Sequence, residues 1–135
     1  MNQVIKTILV ISILIIVIDA VVLSALSKLW KQTIEKIQHK TFSPKLHYVI
    51  GSYILMIFGL YYFVYARINP NKWIYDSLTK GFLFGLVLYG VFDFINLAIF
   101  SDYLLTTAII DIIWGSTLIS ITSFISYYLL EKLNL

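Results

Sequence analysis

Three aspartates stand inside runs of apolar residues: Asp19, Asp93 and Asp111. A carboxylate at the centre of a membrane-spanning helix costs about 2.5–3.5 kcal/mol on insertion scales and is seldom kept without a use. Tyr89, Asn96 and Trp114 lie in the same runs and Ser52 and Tyr53 in a further one, and they offer hydroxyl, amide and indole groups to such a charge. Like charges close together cannot all ionise, so at least one of the three carboxyls holds a proton near neutral pH. The set suits a proton relay, or a cation such as Na⁺ or Ca²⁺ held by carboxylate and amide oxygens. It equally suits a grip on the polar end of a lipid-soluble ligand.

The elements that must carry these groups follow from composition. Of 135 residues, 60% are hydrophobic and only 13% charged, with a mean hydropathy of +0.90; a soluble domain is nearer a quarter charged. The longest apolar runs exceed the roughly 18 residues that fit a hydrocarbon slab about 30 Å thick. The sequence predicts an all-α, multi-pass integral membrane protein. Four transmembrane helices (about 4–28, 46–66, 81–100 and 103–130) form one compact bundle and one domain over 1–135. The first run reads as a retained span. It is too long for a signal peptide, contains Asp19 and lacks a small-residue cleavage site.

Between the first two spans, Leu29, Trp30, Thr33, Ile34 and Ile37 recur at helical spacing, with Lys31, Glu35, Lys36 and Lys40 on the other sides. The pattern predicts a short amphipathic helix at the interface, with Trp30 at headgroup level and Ser43-Pro44 as its end. A plain extension of the first helix fits equally well. Tyr61, Tyr62, Phe63 and Tyr65 form an aromatic belt, His39 and His47 contact headgroups, Ile74–Lys80 make a short interfacial turn, and the tail from Glu131 frays.

Depth and face bring the polar residues together. At 1.5 Å per residue, Asp19 lies roughly 13 Å, Asp93 roughly 12 Å, Asp111 roughly 15 Å and Ser52-Tyr53 about 10 Å from the same membrane surface. Gly81, Gly85, Tyr89, Asp93 and Asn96 step by four, four, four and three along one helical face. Gly81-x-x-x-Gly85 allows close helix approach. Thr107, Asp111, Trp114 or Gly115, and Thr122 share a face on the fourth helix, as Ser12 and Asp19 do on the first. The expected site is therefore Asp19, Asp93, Asn96 and Asp111, supported by Ser52, Tyr53, Tyr89 and Trp114 and packed on Gly81, Gly85 and Gly115. Trp114 is in reach of Asp93 or Asn96 across the hairpin.

Gly81-x-x-x-Gly85-x-x-x-Tyr89-Gly-x-x-Asp93-x-x-Asn96-Leu-Ala, followed by Asp111-x-x-Trp114-Gly115, resembles the membrane-protein family catalogued as domain of unknown function 2177. The resemblance covers nearly the whole chain, including the first-helix aspartate, Pro44 and the Gly59-to-Tyr65 stretch. That family favours Tyr-Asp-x-Thr-Asn where this chain has Phe92-Asp93-Phe94-Ile95-Asn96, and a tryptophan where this chain has Val22. Two hydroxyls are thus missing beside an intact carboxylate and amide. Members occur in bacteria and large DNA viruses, and the resemblance implies architecture and site rather than a reaction.

Several classes are excluded or weakened. The chain has no cysteine, so disulfides and thiolate chemistry are out. A net charge of +3 spread over short loops gives no nucleic-acid surface. Lys6, Arg67, Lys72, Lys80 and Lys132 face one side and Lys28, Lys31, Lys36, Lys40 and Lys45 the other, so the positive-inside rule leaves orientation open. There is no His-Glu-x-x-His, no histidine in the interior of a span (His47 stands at the very start of the second) and no Gly-x-Gly-Asp, which makes catalysis the weaker expectation; no metal or cofactor is specified. The leading expectation is proton or cation binding and translocation. The alternatives are a membrane-embedded protein or enzyme for a lipid or other lipophilic ligand, its pocket walled by helix 2 aromatics and by Phe82, Phe84, Phe92 and Phe94, or a structural protein of a cell or virion membrane. The lipid bilayer is the expected partner. A homo-oligomer is expected from the small enclosed volume, with helix 2 facing lipid or a sister subunit.

Overall fold

A computed structural model describes residues 2–133 and is all-α. The order is α1 (Gln3–Gln38), α2 (Leu46–Gly59), α3 (Trp73–Ile99) and α4 (Leu105–Tyr127). A π-helical segment, Leu60–Val64, and a short 3₁₀ turn, Tyr65–Arg67, extend α2; Pro70–Lys72 leads into α3, and a π turn, Tyr128–Lys132, ends α4. All four helices, with these extensions, are long and apolar enough to cross a membrane.

No separate interfacial helix follows the first span. Residues Gln3–Gln38 contain no glycine or proline, and α1 runs unbroken from its Asn2 cap to His39, which adopts a left-handed φ of 50°. Thirty-six residues span roughly 54 Å, so α1 outreaches the slab and must tilt or protrude. Its amphipathic second half has its inward side taken by protein rather than by headgroups. Thr33 Oγ1 meets Thr107 Oγ1 at 2.8 Å, and Lys36 pairs with Asp102 at 3.2 Å. Trp30 is half-buried in that contact region.

Other boundaries shift for local reasons. Ile74–Lys80 belong to α3, whose first turn is tied down where Asp76 Oδ2 accepts from Asn69 N at 2.9 Å and from Lys80 Nζ at 2.6 Å. Tyr62 and Phe63 face outward as a belt would, but Tyr65 is buried and its hydroxyl donates to Glu131 at 3.1 Å. Trp73 stacks on Phe124, Tyr127 and Tyr128, with Lys132 Nζ 5.6 Å over its ring. The end of α4 is therefore packed through Lys132 rather than frayed; residues 134–135 of the expected frayed tail lie outside the described residues.

The packing centres on α4. Half of its most apolar stretch is buried, against 17–22% for the other three spans. Its partner α3 lies so close that a Cβ at Gly81 would stand 2.8 Å from Ser120 Cα, and one at Gly85 2.6 Å from Ser116 Cα. Across that seam Ser120 Oγ donates to Leu78 O at 2.8 Å. α1 packs on α4 through Thr7, Ile11, Ile15 and Asp19, one stripe at four-residue spacing. Along α2 itself only Gly59, against the tip of the Phe84 ring, is buried, while Leu60 and Val64 in its π extension are buried in the core.

Candidate functional site

Asp19 ends the buried stripe of α1. Its Oδ2 accepts from Tyr53 Oη of α2 at 2.5 Å, and its Oδ1 accepts from Trp114 Nε1 of α4 at 2.9 Å. Both bonds are charge-assisted when the carboxylate is ionised, the strong kind. One carboxylate thereby ties three helices. Trp114 reaches α1 rather than Asp93 or Asn96 across the hairpin.

Asp93 is fully buried on α3. Its Oδ1 accepts from Tyr103 Oη at 2.6 Å, while Oδ2 has no hydrogen-bond partner among the described residues. Tyr103 sits in the connection between α3 and α4 and folds back onto the helix that precedes it. Phe92 provides no hydroxyl beside Asp93, and Tyr103 supplies one from ten residues downstream.

Asp111, half-buried on α4, lies between the other two carboxylates. It neighbours Asp93 and feels the charge of Asp19, and the Trp30 indole approaches it. No side chain among the described residues donates to it with ordinary hydrogen-bond geometry. The three aspartates thus form a chain, Asp19 to Asp111 to Asp93, rather than a cage. Among the described residues, no three His, Asp or Glu side chains are grouped to hold a metal ion.

Two cavities flank this chain. The first, about 440 Å³, is lined by Asp19, Tyr53, Met56, Phe84, Tyr89 and Asp111 deep inside, with Ser52, Leu55, Leu88 and Phe92 at its rim. Leu55, Leu88 and Phe92 are exposed on the outer surface, so the mouth lies between α2 and α3 and faces the lipid. The second, about 320 Å³, lies at the end of the bundle, among Trp30, Gln38, Asn96, Phe100, Tyr103 and Thr107. Phe92 lines both.

The remaining expected residues distribute as follows. Asn96 joins the second cavity, apart from Asp19. Tyr89 donates to Met56 Sδ at 3.5 Å, and its ring lies against Gly115, where any Cβ would collide with it. Ser52 bonds its own helix at Val49 O, and Ser12 bonds Ile8 O. Phe84 and Phe92 wall the first cavity, whereas Phe82 and Phe94 point outward. His39 and His47 are exposed, far along the chain from any cavity-lining aspartate.

The sequence from residue 4 to residue 128 matches the family described as "Predicted membrane protein (DUF2177)". The chain belongs to the DUF2177 family. It is accordingly an integral, multi-pass membrane protein with four candidate spans and buried aspartates. For this DUF2177 chain, comparison with curated proteins and with solved structures gives no match.

Proposed function

We propose that the whole chain is one four-helix transmembrane domain that binds a lipophilic molecule with a positively charged, hydrogen-bond-donating head. The observation that carries this reading is the first cavity: apolar walls, a mouth toward lipid and an acidic floor. Its size falls in the usual range for small-molecule sites, about 300–1,000 Å³. Of the two carboxylates on the floor, Asp19 has both oxygens taken by Tyr53 and Trp114. Asp111 is the acceptor left for a ligand. An ammonium head on a single alkyl chain satisfies both the floor and the walls. The cavity is walled by one chain, so the reading does not depend on the homo-oligomer expected from the sequence.

The test is photo-crosslinking in membranes with a diazirine-bearing alkylamine, followed by peptide mapping. The expected labels fall on 52–56 and 84–92 and are competed by dodecylamine. Uncompeted labelling spread over outward residues such as Val21, Leu83 and Ile109 would overturn the reading.

Proton or cation translocation is the second reading, favoured by the adjacency of Asp93 and Asp111. With no three His, Asp or Glu side chains grouped for a metal ion among the described residues, a proton fits that reading better than a divalent cation. Liposomes holding the protein and a pH-sensitive dye test it. Flux that Asp111→Asn abolishes supports translocation, and no flux from folded protein rejects it.

A further inference from the structure

We propose that Tyr103, Asp93 and Asp111 form a proton path that carries protons past Phe92, from the second cavity to the floor of the first. Three observations meet here. The two cavities share Phe92 as a wall, an aromatic ring that conducts no proton. Tyr103 lines the second cavity and Asp111 the first. Between them stands Asp93, fully buried, holding Tyr103 through Oδ1 and leaving Oδ2 without a partner beside the Asp111 carboxyl. A buried carboxylate oxygen without a donor is expensive, and a proton shared with a neighbouring carboxyl is the economical remedy.

The second cavity lies at the end of the bundle, beside Gln38 and Phe100, the last residue of α1 and the first after α3. Asn96 and Tyr103 give a water there the two polar partners that it needs. The transfer is then a sequence of hops. Asp93 passes its carboxyl proton to the Asp111 carboxylate. Tyr103 gives its hydroxyl proton to Asp93 and takes one from the water, which is resupplied from the aqueous side. Each hop breaks one O–H bond and forms another; Tyr103 and Asp93 regain their starting state once the Asp93 carboxyl turns its new proton from Oδ1 to the Oδ2 position and the Tyr103 hydroxyl turns back to Oδ1. The net result is one proton added to Asp111. The groups around Asp111 are Asp93 and Tyr89 on α3, Asp19 and Trp30 on α1 and, at the far side of Asp19, Tyr53 on α2. The path rests on the ligand reading only for its purpose: it lets the charge of Asp111 change without opening the lipid-facing mouth.

The route is testable without any ligand. In infrared spectroscopy of the full protein in lipid, the C=O stretch of protonated carboxyls shifts when H₂O is replaced by D₂O. Measured at a pH low enough to protonate Asp111, the band that Asp111→Asn deletes reports Asp111. In the wild type it should exchange promptly. In Tyr103→Phe, which keeps the ring and loses only the hydroxyl, exchange should slow by about tenfold or more, as should Asp93→Asn. Dodecylamine binding should persist in Tyr103→Phe. Should Asp93→Asn fail to fold, Tyr103→Phe decides alone. Exchange as fast as wild type in folded Tyr103→Phe overturns the path. Loss of dodecylamine binding in the wild type would instead count against the ligand reading and leave the exchange result standing.

Discussion

The α3–α4 hairpin and the α1–α2 pair are built on opposite terms. The hairpin is held by backbone contact: Gly81 and Gly85 lie against Ser120 and Ser116 with no space for a methyl group. α2 is held by a few side-chain contacts, chiefly Tyr53 to Asp19, Tyr89 to Met56, and Gly59 against Phe84. Close packing of small residues fixes one pair, and polar side chains tether the other helix at a distance. The cavity lies between them. The extension of α2 is anchored by Leu60, Val64 and Tyr65 in the core, so the tethered part is the stretch before Gly59 that walls the cavity.

The largest effect should come from breaking the rigid pair. Gly85→Leu puts a branched side chain against Ser116 backbone, and thermal unfolding in detergent should show a loss of about 3 kcal/mol or more, or no folded protein. If Gly85→Leu is as stable as wild type, the hairpin is not the platform described. Next comes the tether. Asp19→Ala leaves Tyr53 and Trp114 without an acceptor and should cost about 1–2 kcal/mol, in the upper range for membrane hydrogen bonds. Amide exchange should rise along α2 and stay unchanged along α3, and uniform exchange in all helices would erase the contrast. Tyr53→Phe removes one of the two bonds and should cost only about 0.6 kcal/mol. The smallest effect should come from Gly90→Ala, where nothing lies within 4 Å of the added carbon. Unfolding should show a gain of up to about 1 kcal/mol from helix propensity alone.

Much of this contrast was legible in sequence. Four-residue spacing marked Gly81, Gly85, Tyr89 and Asp93 as one face, and helical rise put Asp19, Asp93 and Asp111 within one layer. What stayed hidden depended on directions that spacing does not contain. The indole of Trp114 turns to α1, so Asp19 is satisfied, while among the described residues no side chain donates to Asp111 with ordinary hydrogen-bond geometry. Asn96 is only one turn from Asp93 but lies in the other cavity. Tyr103 lies in the α3–α4 connection, whereas the apolar pattern starts the fourth helix there and carries no sign that its hydroxyl folds back. The signal for it was the hydroxyl missing at Phe92, which leaves Asp93 needing a donor from elsewhere. The interfacial helix failed for a related reason. An amphipathic pattern reports that one side is covered, and here the cover is α4 and the α3–α4 connection rather than headgroups.

The most direct test of the central claim is the affinity of the protein in nanodiscs for dodecylamine relative to dodecanol, in wild type and in Asp111→Asn. The two molecules share a chain and differ in a charged donor, so their ratio isolates the floor of the cavity from its walls. The wild type should prefer the amine by about tenfold or more, the worth of a hydrogen bond to a charged group. Asp111→Asn should bring that ratio close to unity while dodecanol binding stays. An amine preference that survives in folded Asp111→Asn would contradict the account.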